Sequence, residues 1–310
     1  MASLFREDAE ILIALEPVAG RALDDHLRHS PTWYPHTYVP WSQGRDYEGV
    51  YEGKPWEPAQ CRLSAPARDA LVHNLLAEEN LPSYHRVIAR MFGMDGAWGT
   101  WVNRWTVEEG RHGMAIRDYL LVTRAVDPVV LEEDRAAHVQ HGWDTDYRDD
   151  VVASLVYVAI QELGTRVSYH NTRRLCGEPG CEALLQRISQ DENLHMLFYR
   201  TVLQAAMELC PDRVLQAVAR VMADGRGPGH AAPGHTRLLN SMVQSGIFTP
   251  VTYHEEVLQP FTRAMRVFEA GDLGPAGEQA REQIAGMLEH HADRARRFGE
   301  LSERLRLAVK

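Results

Sequence analysis

No apolar run in these 310 residues approaches the ~20 residues needed to span a bilayer, so no transmembrane segment is expected. The N-terminal stretch MASLFREDAEILIALEPV is charged and amphipathic. It lacks the apolar core and small-residue cleavage site of a signal peptide. Basic residues are outnumbered, 33 Lys and Arg against 43 Asp and Glu, for a net charge of −10. That argues against nucleic-acid binding, which draws on clustered Lys and Arg in excess. Cysteine is sparse, four in all, too few for a disulfide scaffold. Cys176 and Cys181 flank GEPG with the wrong spacing for a zinc knuckle and have no second pair to join. Cys61, Cys176, Cys181 and Cys210 are therefore read as reduced thiols of a cytoplasmic protein. A His-Glu-x-x-His run, the zinc-protease signature, is missing: HEEV at 254–257 ends without its second His, and EHHADRARRF at 289–298 reads as solvated surface.

Strand-like alternation is also scarce, and Ala, Leu, Arg, Glu and Gln fill long runs, so the fold expected is all-α. An opening helix is expected near 6–27. A Trp-, Tyr- and Pro-rich stretch, SPTWYPHTYVPWSQGRDYEGVYEGKPWEP, follows and is too aromatic for a linker; it should lie packed across helices. Four long helices come next: about 64–92 with a bend at Pro82, about 95–125 capped by Asp95, about 147–176 and about 179–208, with a short helix near 128–141. MADGRGPGHAAPGHT (222–236) then breaks the pattern. Its G-x-G-x-G follows no strand, so no nucleotide site is expected there. Two or three further helices are expected over 235–305.

One word is written twice. VEEGRHGM and QDENLHML each contain Glu-x-x-His, as Glu109/His112 and Glu192/His195, each led by a second acid, Glu108 or Asp191. Helical spacing puts Trp98, Trp101, Trp105, Glu109, His112 and Ile116 on one face of the second long helix. Leu185, Ile188, Glu192, His195, Tyr199 and Val202 share a face of the fourth, and Val158, Glu162, Thr165 and Tyr169 a face of the third. In the first, Leu71, Leu75 and Glu78 make a stripe, but Val72, Leu76 and Glu79 make an equally good one, and phase alone leaves the choice open. A carboxylate on an apolar face must shift its pKa, find a partner or bind a metal. The intervals tie the four helices together: 31 residues from Glu78 to Glu109 and 30 from Glu162 to Glu192. Two antiparallel helices joined by a short turn return to the same level after about that distance. A bundle of two such hairpins brings four carboxylates and two imidazoles to one point, the arrangement of ferritin-like di-iron or di-manganese carboxylate proteins.

Longer segments carry a resemblance to the soluble acyl-acyl carrier protein (acyl-ACP) desaturases, from about Trp33 to Tyr199 and more loosely to the C-terminus. EENLPSY resembles that family's E-E-x-L-P-T-Y, WTVEEGRHG its W-T-x-E-E-N-R-H-G, and QELGTRVSYHNT its Q-E-R-A-T-x-x-S-H-x-N-T. QDENLHMLFY resembles its D-E-x-R-H-E, and WYPHTYVP its W-Q-P-Q-D-F-L-P. Gly110, Leu194 and Arg166 depart from the usual residues without removing a ligand. The resemblance implies a ferritin-like four-helix bundle with additional helices, in a single domain over 1–310. The bundle core would occupy about 64–208, with the N-terminal helix and Trp/Pro-rich segment in 1–63 and C-terminal helices in 209–310. It selects Glu78 over Glu79 and implies two Fe ions held by Glu78, Glu109, His112, Glu162, Glu192 and His195, with Glu109 and Glu162 bridging or flanking the metals. Thr165 would serve as a catalytic hydroxyl. Asp191 would orient His112 and Glu108 would orient His195, with Trp33 on Asp191 as an electron route.

The activity implied is O2-dependent insertion of a cis double bond into a saturated acyl chain on ACP, in fatty acid metabolism, with electrons from a ferredoxin-type donor. Arg21, Arg28, Arg62 and Arg68 are candidate contacts for the acidic carrier near the channel mouth. A homodimer is expected, with the Trp-rich second helix at its interface. Two other readings fit the same ligands: an N-oxygenase or hydroxylase on this scaffold, and a non-catalytic ferritin-like iron-binding protein.

Overall fold

Capping and helix-breaking residues set the element boundaries. The computed structural model describes residues 8–147, 149–225 and 234–308, with side chains through 304. The Gly-rich residues 226–233 lie outside the described residues. Helix α1 (Asp8–His29) is followed by the aromatic segment, held in short 3-10 turns and one isolated bridge, Tyr47 to Lys54. Among the described residues there is no strand. Ser64 caps α2 (Ala65–Glu79) by accepting from the Ala67 N–H.

The single helix expected over 64–92 is two. Helix α2 stops at Glu79, and α3 (Leu81–Phe92) restarts after Asn80. Pro82 lacks an N–H, and its ring would crowd the carbonyl four residues back, that of Glu78. Helix α4 (Gly96–Val122) has Asp95 at its N-cap position, but Asp95 makes no side-chain capping bond; Glu16 of α1 accepts from the Ala97 N–H at 3.2 Å instead. Helix α5 (Pro128–His141) is capped by Asp127. Helix α6 (Val151–Cys176) starts four residues later than expected, where Asp150 accepts from Ala153 and Asp8 from Val151. It ends at Gly177, whose φ of +64° suits glycine.

Helix α7 (Pro179–Leu209) is followed by α8 (Pro211–Asp224), which lies within the region 209–310 read as C-terminal helices. Then come α9 (His235–Gln244) and α10 (Pro250–Thr252). The latter widens into a π-helical turn (Tyr253–Leu258) that closes as α11 (Gln259–Ala264), before the long α12 (Pro275–Ala308). No helix among the described residues is long and apolar enough to cross a membrane.

Helices α2–α3, α4, α6 and α7 form the bundle, and α6 packs most extensively on α7. Helix α1 covers α7 and α4, α8 covers α6 with α12 packed on α8, and α5 and α9 flank α2. The core is divided along the bundle axis. One apolar half gathers Phe92, Trp98, Trp101, Leu155, Phe198 and Val202; the other gathers Leu71, Leu75, Ile116, Tyr119, Leu184 and Ile188. Along α4 and along α7 the buried acids and histidines fall between the two halves. The aromatic segment packs as expected: Trp33 is buried, the Tyr47 hydroxyl donates to Leu121 O and the Trp56 indole to Arg124 O. Trp98, Trp101 and Trp105 are buried inside the chain's own core at 3%, 0% and 5% exposure. The large exposed apolar residues of α4 are Val107 and Met114.

Candidate metal centre

Four helices deliver one carboxylate each to the same level. Glu78 comes from the last turn of α2, Glu109 from α4, Glu162 from α6 and Glu192 from α7, joined by His112 and His195. All six side chains are at or below 9% exposure. They form two overlapping groups: Glu78, Glu109, His112 and Glu192, and Glu109, Glu162, Glu192 and His195. Within each group one potential ligand atom per residue lies within 4.8 Å of the others. Glu109 and Glu192 belong to both, whereas Glu78 and Glu162 stand at opposite flanks. Glu109 is thus shared by the two groups, and Glu162 belongs to one of them. Glu79 is not in the cluster; it pairs with Arg135 at 2.6 Å, which resolves the tie that helix phase left open.

Both imidazoles turn Nδ1 inward and Nε2 outward. His112 Nδ1 is 3.3 Å from Glu109 and 3.4 Å from Glu192, and His195 Nδ1 is 2.8 Å from Glu109 and 3.5 Å from Glu162. Yet these close contacts lack hydrogen-bond geometry, and His112 Nδ1, His195 Nδ1 and Glu109 Oε1 are buried with charged neighbours but no hydrogen bond. Buried polar atoms of this kind normally have one. Aimed at a common space by four carboxylates and two imidazoles, they fit a pair of divalent transition metals, for which hard oxygen and borderline nitrogen are suitable donors.

The outward nitrogens meet the two leading acids. His195 Nε2 lies 2.9 Å from Glu108 Oε2, and His112 Nε2 lies 3.4 Å from Asp191 Oδ2. The Trp33 indole donates to the same Asp191 oxygen at 2.6 Å, and Arg187 pairs with the other. Arg104 lies 2.5 Å from Glu108. Burial works to raise both acids, but the hydrogen-bonded histidines, His195 and His26 on Glu108 and His112 on Asp191, hold them below the ordinary carboxylate range.

In the metal-free cluster the carboxyls divide. Burial pushes Glu78 well up, with Glu109 adding to it, and burial pushes Glu162 well up despite His195. For Glu109 and Glu192 burial is outweighed by His112 and His195, and both are held down. The two imidazoles are pushed well above their usual value because Glu109 and their acid partners overcome burial.

Four residues joined to this cluster were not anticipated. His26 of α1 places Nε2 2.8 Å from Glu108 Oε2, and Ser30 donates to Glu108 Oε1 at 3.0 Å. The Trp105 indole donates to Glu162 Oε1 at 2.9 Å. The Tyr169 hydroxyl donates to Glu78 Oε1. Trp105 and Tyr169 lie on the stripes read from the sequence, but His26 and Ser30 have no spacing relation to Glu108 that could have exposed them. Thr165 donates to Glu192 Oε2 at 3.1 Å as well as to its own helix.

A cavity of about 100 Å³ opens onto Glu78, Glu109, Glu162, Glu192 and Thr165. Val87, Ile88, Met91 and Phe92 of α3 and Tyr157 and Val158 of α6 make its apolar wall. None of Arg21, Arg28, Arg62 and Arg68 lines it. Arg28 pairs with Asp25, Arg68 pairs with Asp69 at 3.2 Å, and Arg62 borders a separate polar pocket beside Arg45 and Arg124.

A family profile described as fatty acid desaturase matches residues 7–308. DesA1 of Mycobacterium tuberculosis, named as an acyl-ACP desaturase, is 42% identical over 285 residues, 90% of this chain and 84% of its own. The X-ray structure of DesA2 from M. tuberculosis H37Rv matches with a TM-score of 0.71 at 28% identity, over 87% of this chain and 99% of that one. A stearoyl-ACP 9-desaturase of Arabidopsis thaliana is 28% identical over 314 residues, 91% of this chain and 73% of its own.

Proposed function

The chain belongs to the fatty acid desaturase family, and from that premise we propose that it inserts a cis double bond into a saturated acyl chain carried on ACP, using two irons, O2 and a ferredoxin-type reductant. The observation that carries this reading is the apolar cavity ending on four buried carboxylates, among which inward-facing atoms of His112, His195 and Glu109 have no hydrogen bond. Over one turnover the acyl chain loses two hydrogens from adjacent carbons. O2 leaves as two waters, with two electrons and two protons drawn from outside. The irons, when bound, supply oxidising power for unactivated C–H bonds that side-chain acid–base chemistry cannot reach.

Glu78, Glu109, Glu162, Glu192, His112 and His195 are the proposed ligands. Glu108 and Asp191 fix the ring orientation of the two histidines and raise their basicity as ligands. The α3 and α6 walls exclude water and hold the chain so that two chosen methylenes face the centre. Thr165, bordering both the cavity and Glu192, is the side chain we assign to hydrogen bonding at the reacting face. Trp33, bonded to Asp191, links the aromatic segment to His112 through that acid and is the proposed route for electrons. Assembly as a homodimer and a cytoplasmic location belong to the same proposal.

The test is direct. Iron-loaded protein with reduced ferredoxin, O2 and palmitoyl- or stearoyl-ACP should yield a mono-unsaturated product whose double bond is located by mass spectrometry. No product from any saturated chain length would overturn the desaturase reading, and absence of iron after anaerobic loading would overturn the di-iron reading.

A further inference from the structure

Three of the four cluster carboxylates are each tethered by one donor from a neighbouring position in the bundle. Trp105 of α4 holds Glu162 of α6 at 2.9 Å, and Thr165 of α6 holds Glu192 of α7 at 3.1 Å. The third tether is the Tyr169 hydroxyl of α6, which donates to Glu78 Oε1. Along α6 the residues Glu162, Thr165 and Tyr169 follow at steps of three and four, so one helix face supplies a carboxylate and two hydroxyl tethers.

Glu78 differs from the other three in its backbone. Glu109, Glu162 and Glu192 lie in mid-helix, whereas α2 ends at Glu79, one residue beyond Glu78. A side chain at a helix end is less constrained by its own backbone than one in the middle, since helix ends fray. Its carboxylate therefore depends more on an external partner for a fixed orientation. Tyr169 is suited to that task. It is 1% exposed, it packs with the apolar half of the core that includes Leu71 and Leu75 of α2, and its hydroxyl reaches Glu78 Oε1. It does not line the cavity, so it has no contact with a bound acyl chain. At the same place the family segment quoted above, S-H-x-N-T, has a histidine where this chain reads Ser168-Tyr169-His170-Asn171-Thr172. Donor capacity is kept while the donor changes from a ring N–H to a phenol.

We propose that Tyr169 is a positioning residue that fixes the orientation of Glu78 and thereby the affinity and symmetry of the metal pair. The proposal rests on the di-iron reading of the cluster. Loss of the hydroxyl leaves a Glu78 carboxylate at a helix end held only by other members of the cluster, Glu109 and His112. The flank to which Glu78 belongs, with His112, should weaken, and the flank of Glu162 and His195 should not.

Tyr169→Phe removes one oxygen and keeps the ring. Metal-free wild type, Y169F and Y169H are titrated with Fe2+ under anaerobic conditions, and with Co2+, whose visible spectrum reports ligand geometry. Y169F should bind one of the two metal equivalents roughly 10- to 100-fold more weakly, the usual cost of losing a partner of a metal ligand, with altered Co2+ bands. Y169H, which restores a donor, should recover most of that loss. In turnover kcat should fall while KM for acyl-ACP stays near the wild-type value, because the residue does not touch the chain. Should Y169F fail to fold, the same comparison of Y169H with wild type decides: a Y169H protein that loses one metal equivalent as a donor-less site would overturns the claim that donation is what matters. Equal Fe2+ affinity and equal Co2+ spectra for wild type and Y169F would overturn the proposal alone. A wild-type protein that takes up no Fe2+ would overturn the di-iron reading and the proposal with it.

Discussion

Glu108 and Asp191 are 0% and 1% exposed, yet each is held ionised. A buried carboxylate is costly unless donors surround it. Here Glu108 is met by His195, His26, Ser30 and Arg104, and Asp191 by His112, Trp33 and Arg187. Arg111 lies between them, 3.4 Å from Glu108 and 3.8 Å from Asp191, with its guanidinium 5.1 Å from the Trp33 ring centre. Each histidine thus gets a firm anchor for its outer nitrogen, and a bound metal would take the lone pair of the inner nitrogen in place of its proton. Asp191→Asn keeps the shape and removes the charge. It should lower Fe2+ affinity about 10- to 100-fold by weakening the hold on His112. Equilibrium Fe2+ binding measures this, and unchanged loading together with unchanged turnover would show that Asp191 does not orient the ligand.

Helix periodicity made much of the centre readable. The two Glu-x-x-His words, the apolar stripes around them and the near-equal intervals are all consequences of a straight helix returning every 3.6 residues, so Glu109, His112, Glu162, Glu192 and His195 could be set on one level from spacing alone. Where a helix is covered on several sides, that logic fails. Helix α2 is packed by α4, α5, α6 and α9, so Leu71 and Leu75 are buried and so are Val72 and Leu76, and phase could not separate Glu78 from Glu79; the cluster takes Glu78, and Glu79 turns to Arg135. Contacts between elements far apart in sequence were also hidden, such as His26 with Glu108, and so was the way the aromatic segment is fastened. Arg124, at φ +53° just beyond α4, fastens it. Its guanidinium donates to Lys54 O at 2.8 Å, Pro55 O at 2.9 Å and Gln60 Oε1 at 2.8 Å, and lies 4.0 Å from the Tyr47 ring centre. Arg124→Ala strips those carbonyls of a charged donor and should cost on the order of 3 kcal/mol. The urea midpoint should fall, and limited proteolysis should cut within 45–57 in the variant but not in the wild type.

The whole molecule is organised around a contradiction: a polar layer between two apolar halves of one bundle. Hydrophobic burial on either side holds four helices in register, and that register is what forces four acids together. Without metal the layer is a cost, because burial drives Glu78 and Glu162 up toward the neutral form while His112 and His195, themselves pushed up, hold Glu109 and Glu192 down. A ligand that binds only the folded state stabilises it by RT ln(1 + [L]/Kd), about 4 kcal/mol at a thousandfold excess over Kd. With an unfolding entropy near 2.1 cal/mol/K per residue, that corresponds to a rise in Tm of about 6 °C for a chain of this length. Anaerobic Fe2+ should therefore raise Tm by several degrees, and a chelator should reverse it. Glu192→Leu removes a carboxylate common to both ligand groups, so the shift should vanish. The metal-free variant should melt a few degrees below the metal-free wild type, since removing one partner from a buried charge cluster leaves His112 and His195 undercompensated. Calorimetry of the two proteins with and without Fe2+ separates the two effects. A variant that still gains from Fe2+ as the wild type does would mean that metal binds elsewhere.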